Sequence, residues 1–372
     1  MKKVIFVFGT RPEAIKMAPV INVFKNDTAN FETIVAVTAQ HREMLDQILS
    51  FFGIVPDYDL DLMAPNQTLD SLTAKILTGI SEILDKVNPN LIFVQGDTTT
   101  TFSSSLAAFY KMIPVAHIEA GLRTHNIYSP FPEELNRKIT TSMASYHFPP
   151  TKQSYQNLLD EGINKNDMKV VGNTVIDSII TVSNKIDSNL ERYIKVFEKF
   201  DIKFDKKTIL VTGHRRESFG GGFQNICKAI QKIAKNNNIQ IIYPVHLNPN
   251  VQEPVSRILG NIRNVYLIPP QDYVPFIFLM KKAYIILTDS GGVQEEAPSL
   301  GKPVLVMRDT TERQEGIDAG TAKLVGTNVS KIVNSVETLL NDNILYDKMA
   351  KAVNPYGDGN TSKMIYNYLL NL

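Results

Sequence analysis

Short apolar runs rich in β-branched residues recur along the chain. Each is stopped by small or polar residues and followed by a segment with helical spacing. A first series comprises Val4–Phe8, Thr33–Thr38, Leu91–Gln95, Pro114–Ile118 and Tyr146–Phe148. A second comprises Thr208–Thr212, Gln240–Val245, Val265–Ile268, Tyr284–Thr288 and Pro303–Met307. The clearest helix between them is Thr68–Val87, with apolar residues at Leu69, Leu72, Ile76, Ile80, Ile83 and Leu84. Strand and helix alternating through short connections predict mainly parallel sheets covered by helices on both faces. The polar, lysine-rich stretch from about Thr181 to Lys207 separates the two series, so the expected class is α/β with two doubly wound domains. A length of 372 residues also exceeds what a single core usually holds.

Composition narrows the function classes. The hydrophobic fraction of 43% and charged fraction of 21% suit a soluble globular protein. A formal charge of +1 offers no basic surplus for displacing counterions, so nucleic acid is not the expected partner. The single cysteine, Cys227, excludes an intrachain disulfide and a cysteine-built metal cluster, and its helix-like surroundings predict a packed core thiol. Val4–Phe8 is too short for a signal-peptide core, and no run of 18 apolar residues exists; the expectation is a cytoplasmic protein with no membrane span.

In doubly wound sheets ligands bind outside the carboxyl ends of the strands. Here polar residues bunch at those ends. Gly9-Thr-Arg11-Pro-Glu13-Ala-Ile-Lys16 follows the first run, Gln40-His41-Arg42-Glu43 the second, Gly96-Asp97-Thr98 the third and Glu119-Ala-Gly-Leu-Arg123 the fourth. In the second half come Gly213-His214-Arg215-Arg216-Glu217, His246-Leu-Asn-Pro and Asp289-Ser290-Gly291-Gly292. All six histidines (41, 117, 125, 147, 214 and 246) fall within or beside strand ends, which predicts a cleft lined from both domains.

The segment from Ile285 to Pro298 reads as a buried strand, a tight turn of small residues and a helix start. Its free amides suit a phosphate or pyrophosphate, and Glu296 could accept from ribose hydroxyls; an ordinary capped corner fits the same residues. Arg11, Lys16 and the basic group at 214–216 are the candidate cations. The candidate acids are Asp97, Glu119, Glu133 and Glu134, because several carboxylates beside a sugar permit proton transfer. Glu133 and Glu134 also fit the first turn of a helix after Pro132. No two histidines are spaced for a shared metal, and Gly-x-Gly-x-x-Gly is absent, so neither a metal nor a nicotinamide cofactor is expected.

The blocks GTRPEAIKMAP (9–19), AQHREML (39–45), QGDTTT (95–100), HIEAGLRT (117–124), PEELNR (132–137), GNTVID (172–177), TGHRRESFG (212–220), PVHLNPNV (244–251), DSGGVQEEAPSLGKPVLVMR (289–308) and TERQEGIDAGTAKLVG (311–326) run through the chain in order. Together they resemble the non-hydrolysing UDP-N-acetylglucosamine 2-epimerases. The resemblance implies a GT-B fold, two Rossmann-like domains facing across a deep cleft, divided as 1–170 and 171–356, with the helical end 357–372 returning to the first. It implies Asp97, Glu119 and Glu133 as acid/base groups, with His214 near the leaving pyrophosphate. Arg11, Lys16, Ser290, Gly291, Gly292, Glu296 and Arg313 would hold UDP. A second UDP-N-acetylglucosamine, acting as allosteric activator, would meet Gln40, His41, Gln67 and His246. Asn66 stands where many relatives carry arginine, which leaves the strength of that activation open. A homodimer is the family expectation.

The implied reaction inverts C2 of UDP-N-acetylglucosamine, giving UDP-N-acetylmannosamine for surface polysaccharide, and uses no cofactor. The alternatives are a 2-epimerase of a modified sugar, a GT-B glycosyltransferase or a non-catalytic nucleotide-sugar sensor. A uronic acid substrate would demand a further cation near C6, for which Arg123 is a candidate.

Overall fold

The computed structural model describes residues 1–39, 42–62, 64, 67–213, 215 and 219–371, and of Arg42 the backbone alone. The chain divides into two compact units. The first comprises Met1–Ser178 with Tyr356–Leu372, and the second Ile179–Pro355.

Unit 1 runs β1 (Lys2–Phe8), α1 (Arg11–Lys25), β2 (Phe31–Val37), α2 (Arg42–Phe52), β3 (Tyr58–Asp59), α3 (Leu69–Val87), β4 (Leu91–Gln95), α4 (Thr99–Tyr110), β5 (Val115–Ile118), α5 (Glu133–Met143), β6 (Tyr146–Phe148) and α6 (Lys152–Asp160), and then enters α7 (Thr174–Asp187). Unit 2 continues through α8 (Leu190–Glu198), β7 (Lys207–Thr212), α9 (Gly221–Ile233), β8 (Ile239–Pro244), α10 (Pro249–Leu259), β9 (Val265–Ile268), α11 (Tyr273–Lys282) and β10 (Ile285–Thr288). It ends with α12 (Gly291–Glu296), β11 (Val304–Val306), α13 (Gln314–Asp318), β12 (Ala322–Leu324), α14 (Val329–Asn341) and α15 (Asn343–Ala350); α16 (Thr361–Leu370) belongs to unit 1. The lysine-rich stretch expected to separate the domains is largely helical, formed by α7 and α8, and the division falls inside α7 rather than at 170/171.

Each unit is one six-stranded sheet, ordered β3-β2-β1-β4-β5-β6 in unit 1 and β12-β11-β10-β7-β8-β9 in unit 2. Every pairing between these strands is parallel. Numbered within its own unit, the second order is the first reversed, and both are the Rossmann order. The strand order reverses between β1 and β4 in unit 1, and between β7 and β10 in unit 2. Loops leaving those four strands therefore diverge and leave a crevice at the strand ends. Apolar residues such as Ile5, Val7, Ile92 and Val94 fill one face of the first sheet. On its other face Phe6 and Phe93 stack at 4.3 Å, and Phe24 joins them edge-on.

The C-terminal segment is knit onto unit 1 at residues 172–177. Asp177 accepts from the amides of Thr361 (3.3 Å) and Ser362 (2.8 Å), placing a carboxylate at the positive end of α16. Further along α16, the Tyr366 hydroxyl donates to Asp27 at 2.5 Å and its ring packs edge-on against Phe24. Gly172, at φ +89°, lets the two segments approach: a Cβ there would lie 2.9 Å from Thr361 Oγ1 and 3.0 Å from the Tyr356 carbonyl. Gly172→Ala should therefore lower stability by about 2–3 kcal/mol, combining left-handed strain with displacement of that segment. Gly162→Ala is the control, with φ +84° and nothing within 4 Å, so it meets strain alone. Chemical denaturation should rank Gly172→Ala as clearly the worse; equal losses would contradict the close approach.

Candidate active site

In unit 1 the crevice is organised around Glu119. The residue leaves β5 at φ +64°, a backbone region that non-glycine side chains rarely occupy. Its amide donates to the Phe148 carbonyl at 3.1 Å, which holds this turn against β6. The side chain is 5% exposed, so its charge must be met by donors. Lys16, on the second turn of α1, donates to both carboxylate oxygens at 2.7 and 2.5 Å. Gln95, closing β4, donates to Oε2, and Asn173 donates to Oε1 at 3.2 Å. Lys16, expected among the cations that hold UDP, is paired with this acid.

Asp97 lies one residue beyond Gly96, whose own position is close to Glu119: a Cβ on it would be 3.7 Å from Oε2. Arg137 donates to Asp97 Oδ2, and Asn136 donates to its carbonyl at 3.0 Å. Burial raises the Asp97 pKa above the ordinary carboxylate range, Arg137 opposes that shift, and the negative charge of Glu119 adds to it. Helix α5, which supplies Arg137, also separates the roles of the two neighbouring glutamates. Glu134 is fully buried and accepts from the amides of Thr124 (3.0 Å) and His125 (3.1 Å) and from Arg137 (3.1 Å), so it braces the 124–125 loop. Glu133 opens the same helix, and its buried Oε2 has no partner among the described residues.

Glu13 is a fixed carboxylate of a different kind. It completes a capping box with Thr10 and accepts from the amides of Gly9 (3.1 Å) and Thr10 (2.8 Å) and from the Thr98 hydroxyl (2.7 Å). It thereby joins the loop after β1 to the loop after β4, and leaves Arg11 at the first position of α1 with Pro12 behind it.

In unit 2 the loops after β7 and β10 are cross-braced. The Thr212 and Thr288 hydroxyls lie 2.6 Å apart, the Arg215 amide donates to Asp289 Oδ2 at 2.8 Å, and the buried Tyr243 hydroxyl donates to the Gly213 carbonyl at 3.0 Å. Ser290 occupies the N-cap position of α12, yet its side chain makes no cap bond, so the plain capped-corner reading loses its main interaction. Arg313 packs over Gly291, where a Cβ would lie 3.3 Å from the guanidinium carbon, and donates to Glu295 at 2.7 Å. Gln294 ties the Arg313 loop to α12, donating to the Ser290 carbonyl and accepting from the Thr311 hydroxyl at 2.7 Å. A Cβ on Gly292 would lie 3.9 Å from the Ser290 hydroxyl oxygen, and Glu296 is half-buried at the end of α12. Arg308 holds Glu312 down to about 2, well below its usual range.

The remaining candidates fare differently. His214, Gln40 and His41 lie outside the described residues. Gln67 has a buried Nε2 with no partner among the described residues, and His246 is exposed, its Nδ1 accepting from the Asn248 amide at 3.1 Å. His117 and His147, counted as cleft-facing, lie instead within β5 and β6 and are buried; desolvation lowers their pKa to about 3 and about 4. Cys227 is buried, and desolvation pushes its thiol up to about 12. Arg123 is sealed from solvent and forks onto Glu161 at 2.7 and 2.6 Å. Among the described residues no three His, Cys, Asp or Glu groups cluster as a metal site, and no helix is long and apolar enough to cross a membrane.

Residues 24–370 match the family model for UDP-N-acetylglucosamine 2-epimerase. The chain belongs to that family. It is 57% identical over 371 residues to the UDP-N-acetylglucosamine 2-epimerase of Yersinia pestis, covering 99% of this chain and 98% of that one. Among solved structures, the UDP-GlcNAc 2-epimerase of Neisseria meningitidis, bound to UDP-GlcNAc, superposes with a TM-score of 0.89 at 50% identity over the whole of both chains. The Methanocaldococcus jannaschii UDP-GlcNAc 2-epimerase, in complex with UDP-GlcNAc and UDP, gives 0.79 at 33% identity, again over both whole chains. Paired Rossmann-like units of this kind are the GT-B architecture of the 2-epimerase family.

Sequence reasoning missed Gln95, Asn136, Arg137 and Asn173, although all four stand in the family blocks. It also missed the structural part of His117, whose Nε2–H donates to the Gly96 carbonyl at 2.7 Å and so holds the turn before Asp97. Because burial keeps this imidazole neutral in the folded chain, the unfolded chain takes up its proton first as pH falls below 6.5. Its contribution to stability is full above pH 6.5 and declines toward pH 3. Wild type should lose about 2 kcal/mol more than His117→Gln between pH 7 and pH 5, measured by urea denaturation at both values. Parallel losses in the two proteins would contradict a neutral buried His117.

Proposed function

We infer that this protein interconverts UDP-N-acetylglucosamine and UDP-N-acetylmannosamine by inverting C2 of the sugar. The observation that carries the reading is the acid pair at the reversal of the first sheet. Among the described residues three side chains donate to Glu119, and beside it Asp97 is desolvated and feels its negative charge.

The C2 proton is not acidic, since C2 neighbours no carbonyl. If the C1–O bond breaks as the proton leaves, the C2–H electron pair becomes the C1=C2 bond of 2-acetamidoglucal and the C1–O pair departs with UDP. Protonation of C2 from the opposite face, with attack of a β-phosphate oxygen on C1, gives the epimer. Asp97, Glu119 and Glu133 are the proton carriers in this scheme. A desolvated carboxylate with raised pKa, as at Asp97, holds a proton closer to neutral pH than an exposed one would. UDP is assigned to Ser290, Gly291, Gly292, Glu296, Arg313 and Arg11, with His214 at the leaving group. The uncapped Ser290 hydroxyl and the guanidinium over Gly291 support that assignment. The commitment of Arg123 to Glu161 favours plain N-acetylglucosamine over a uronic acid. The same reading includes a second UDP-N-acetylglucosamine at Gln40, His41, Gln67 and His246, supported by the buried Gln67 amide, which has no partner among the described residues. It also includes a cytoplasmic homodimer, supported by the exposed Phe109, Tyr110 and Met112 on unit 1.

Incubation with UDP-N-acetylglucosamine in deuterated water tests the assignment. NMR should find deuterium at C2 and a manno product; unexchanged C2, or free N-acetylmannosamine, would contradict it. Asp97→Asn and Glu119→Gln should each lower kcat by about 10²–10⁴-fold with UDP affinity little changed. Arg313→Ala should instead raise KM for the nucleotide sugar, and a selective loss of kcat there would move Arg313 out of the binding role.

A further inference from the structure

The chain crosses between the two units twice, inside α7 after Ser178 and again before Tyr356. Asn173 is buried where both crossings meet unit 1. Its side-chain carbonyl accepts from the Val175 amide at 3.1 Å, in the opening turn of α7. Its backbone amide donates to the Tyr356 carbonyl at 2.6 Å, at the head of the returning segment. Its remaining group, Nδ2, donates to Glu119 Oε1 at 3.2 Å. Of the described side-chain donors to that carboxylate, Gln95 ends a strand of the sheet and Lys16 stands on the helix that covers it, whereas Asn173 adjoins the crossing segments.

We propose that Asn173 is a positioning residue for Glu119, fixing the carboxylate's orientation relative to the two segments that join the units. A carboxylate with two equivalent oxygens can rotate about its last bond. Lys16 touches both oxygens and cannot choose between rotamers, while Gln95 on Oε2 and Asn173 on Oε1 define the plane. Losing one of those two donors leaves the charge neutralised but frees its direction. That should affect the proton-transfer step more than substrate binding. The inference rests on the epimerase reading.

Two variants separate positioning from folding. Asn173→Ser keeps an oxygen suited to opening α7 but is too short to reach Glu119. Asn173→Asp keeps the length and the acceptor and replaces the donor with a second carboxylate. Both should lower kcat about tenfold, with KM for UDP-N-acetylglucosamine within about twofold and melting temperature within about 2 °C of wild type. Only Asn173→Asp should move the acid limb of the kcat–pH profile upward, by about one pH unit, because like charge disfavours ionisation of Glu119. Unchanged kcat in Asn173→Ser, or an acid limb in Asn173→Asp that coincides with wild type, would overturn the proposal. So would a fall in kcat matched by unfolding. Wild-type exchange at C2 is run alongside: its absence would count against the epimerase reading itself, whereas normal exchange with unaffected variants would remove only the role of Asn173.

Discussion

A carboxylate withdrawn from water is stable only where donors replace the hydration it loses, and much of unit 1 converges on that demand at Glu119. Lys16 comes from the helix after β1, Gln95 from the end of β4 and Asn173 from the entry to α7. These residues are far apart in sequence. They meet because the sheet order places β1 beside β4 and β4 beside β5, with helices leaving on opposite faces. The positive φ of Glu119 turns its side chain off the strand direction, and the bonds around it hold that unusual conformation. The sheet topology, the strain and the desolvated charge form one structural solution.

Unit 2 reaches its own reversal point with a different chemistry. Among the described residues, hydroxyls, backbone groups and the Asp289 carboxylate brace the loops after β7 and β10. Loops with amides and a guanidinium group beside them suit an anion that, in the proposed reaction, is held both bonded to the sugar and free. Unit 1 concentrates titratable groups with coupled charges, which suits proton traffic. In the proposed reaction two units of one topology divide the work by what their strand ends carry.

The architecture was readable because parallel strands buried on both faces leave continuous apolar runs. The two strands that escaped, β3 at Tyr58–Asp59 and β12 at Ala322–Leu324, are short and sit at sheet edges, where one side lacks a pairing partner and the pattern fades. Asp97, Glu119 and Lys16 were singled out from their places after strands, and the structure does bring them together. Which charge each one meets was not readable. Pairing of Lys16 with Glu119 depends on contacts 103 residues apart, and the difference between Glu133 and Glu134 depends on the direction each takes at the first turn of α5. Position near a strand end was also too coarse a signal for histidine, since His117 and His147 face the interior of the sheet layers. Arg123 looked available in sequence and is tied to Glu161 in the fold.

The central claim is that the C1–O bond breaks reversibly while unit 1 moves the C2 proton. Oxygen-18 placed in the bridge between C1 and the β-phosphorus of UDP-N-acetylglucosamine tests it directly. If UDP departs and returns, the label must appear in the non-bridging β-phosphate oxygens of recovered substrate and product, because the freed phosphate rotates before it re-adds. Label that stays wholly in the bridge while C2 exchanges its proton would contradict elimination and re-addition, and with it the roles derived for Asp97 and Glu119.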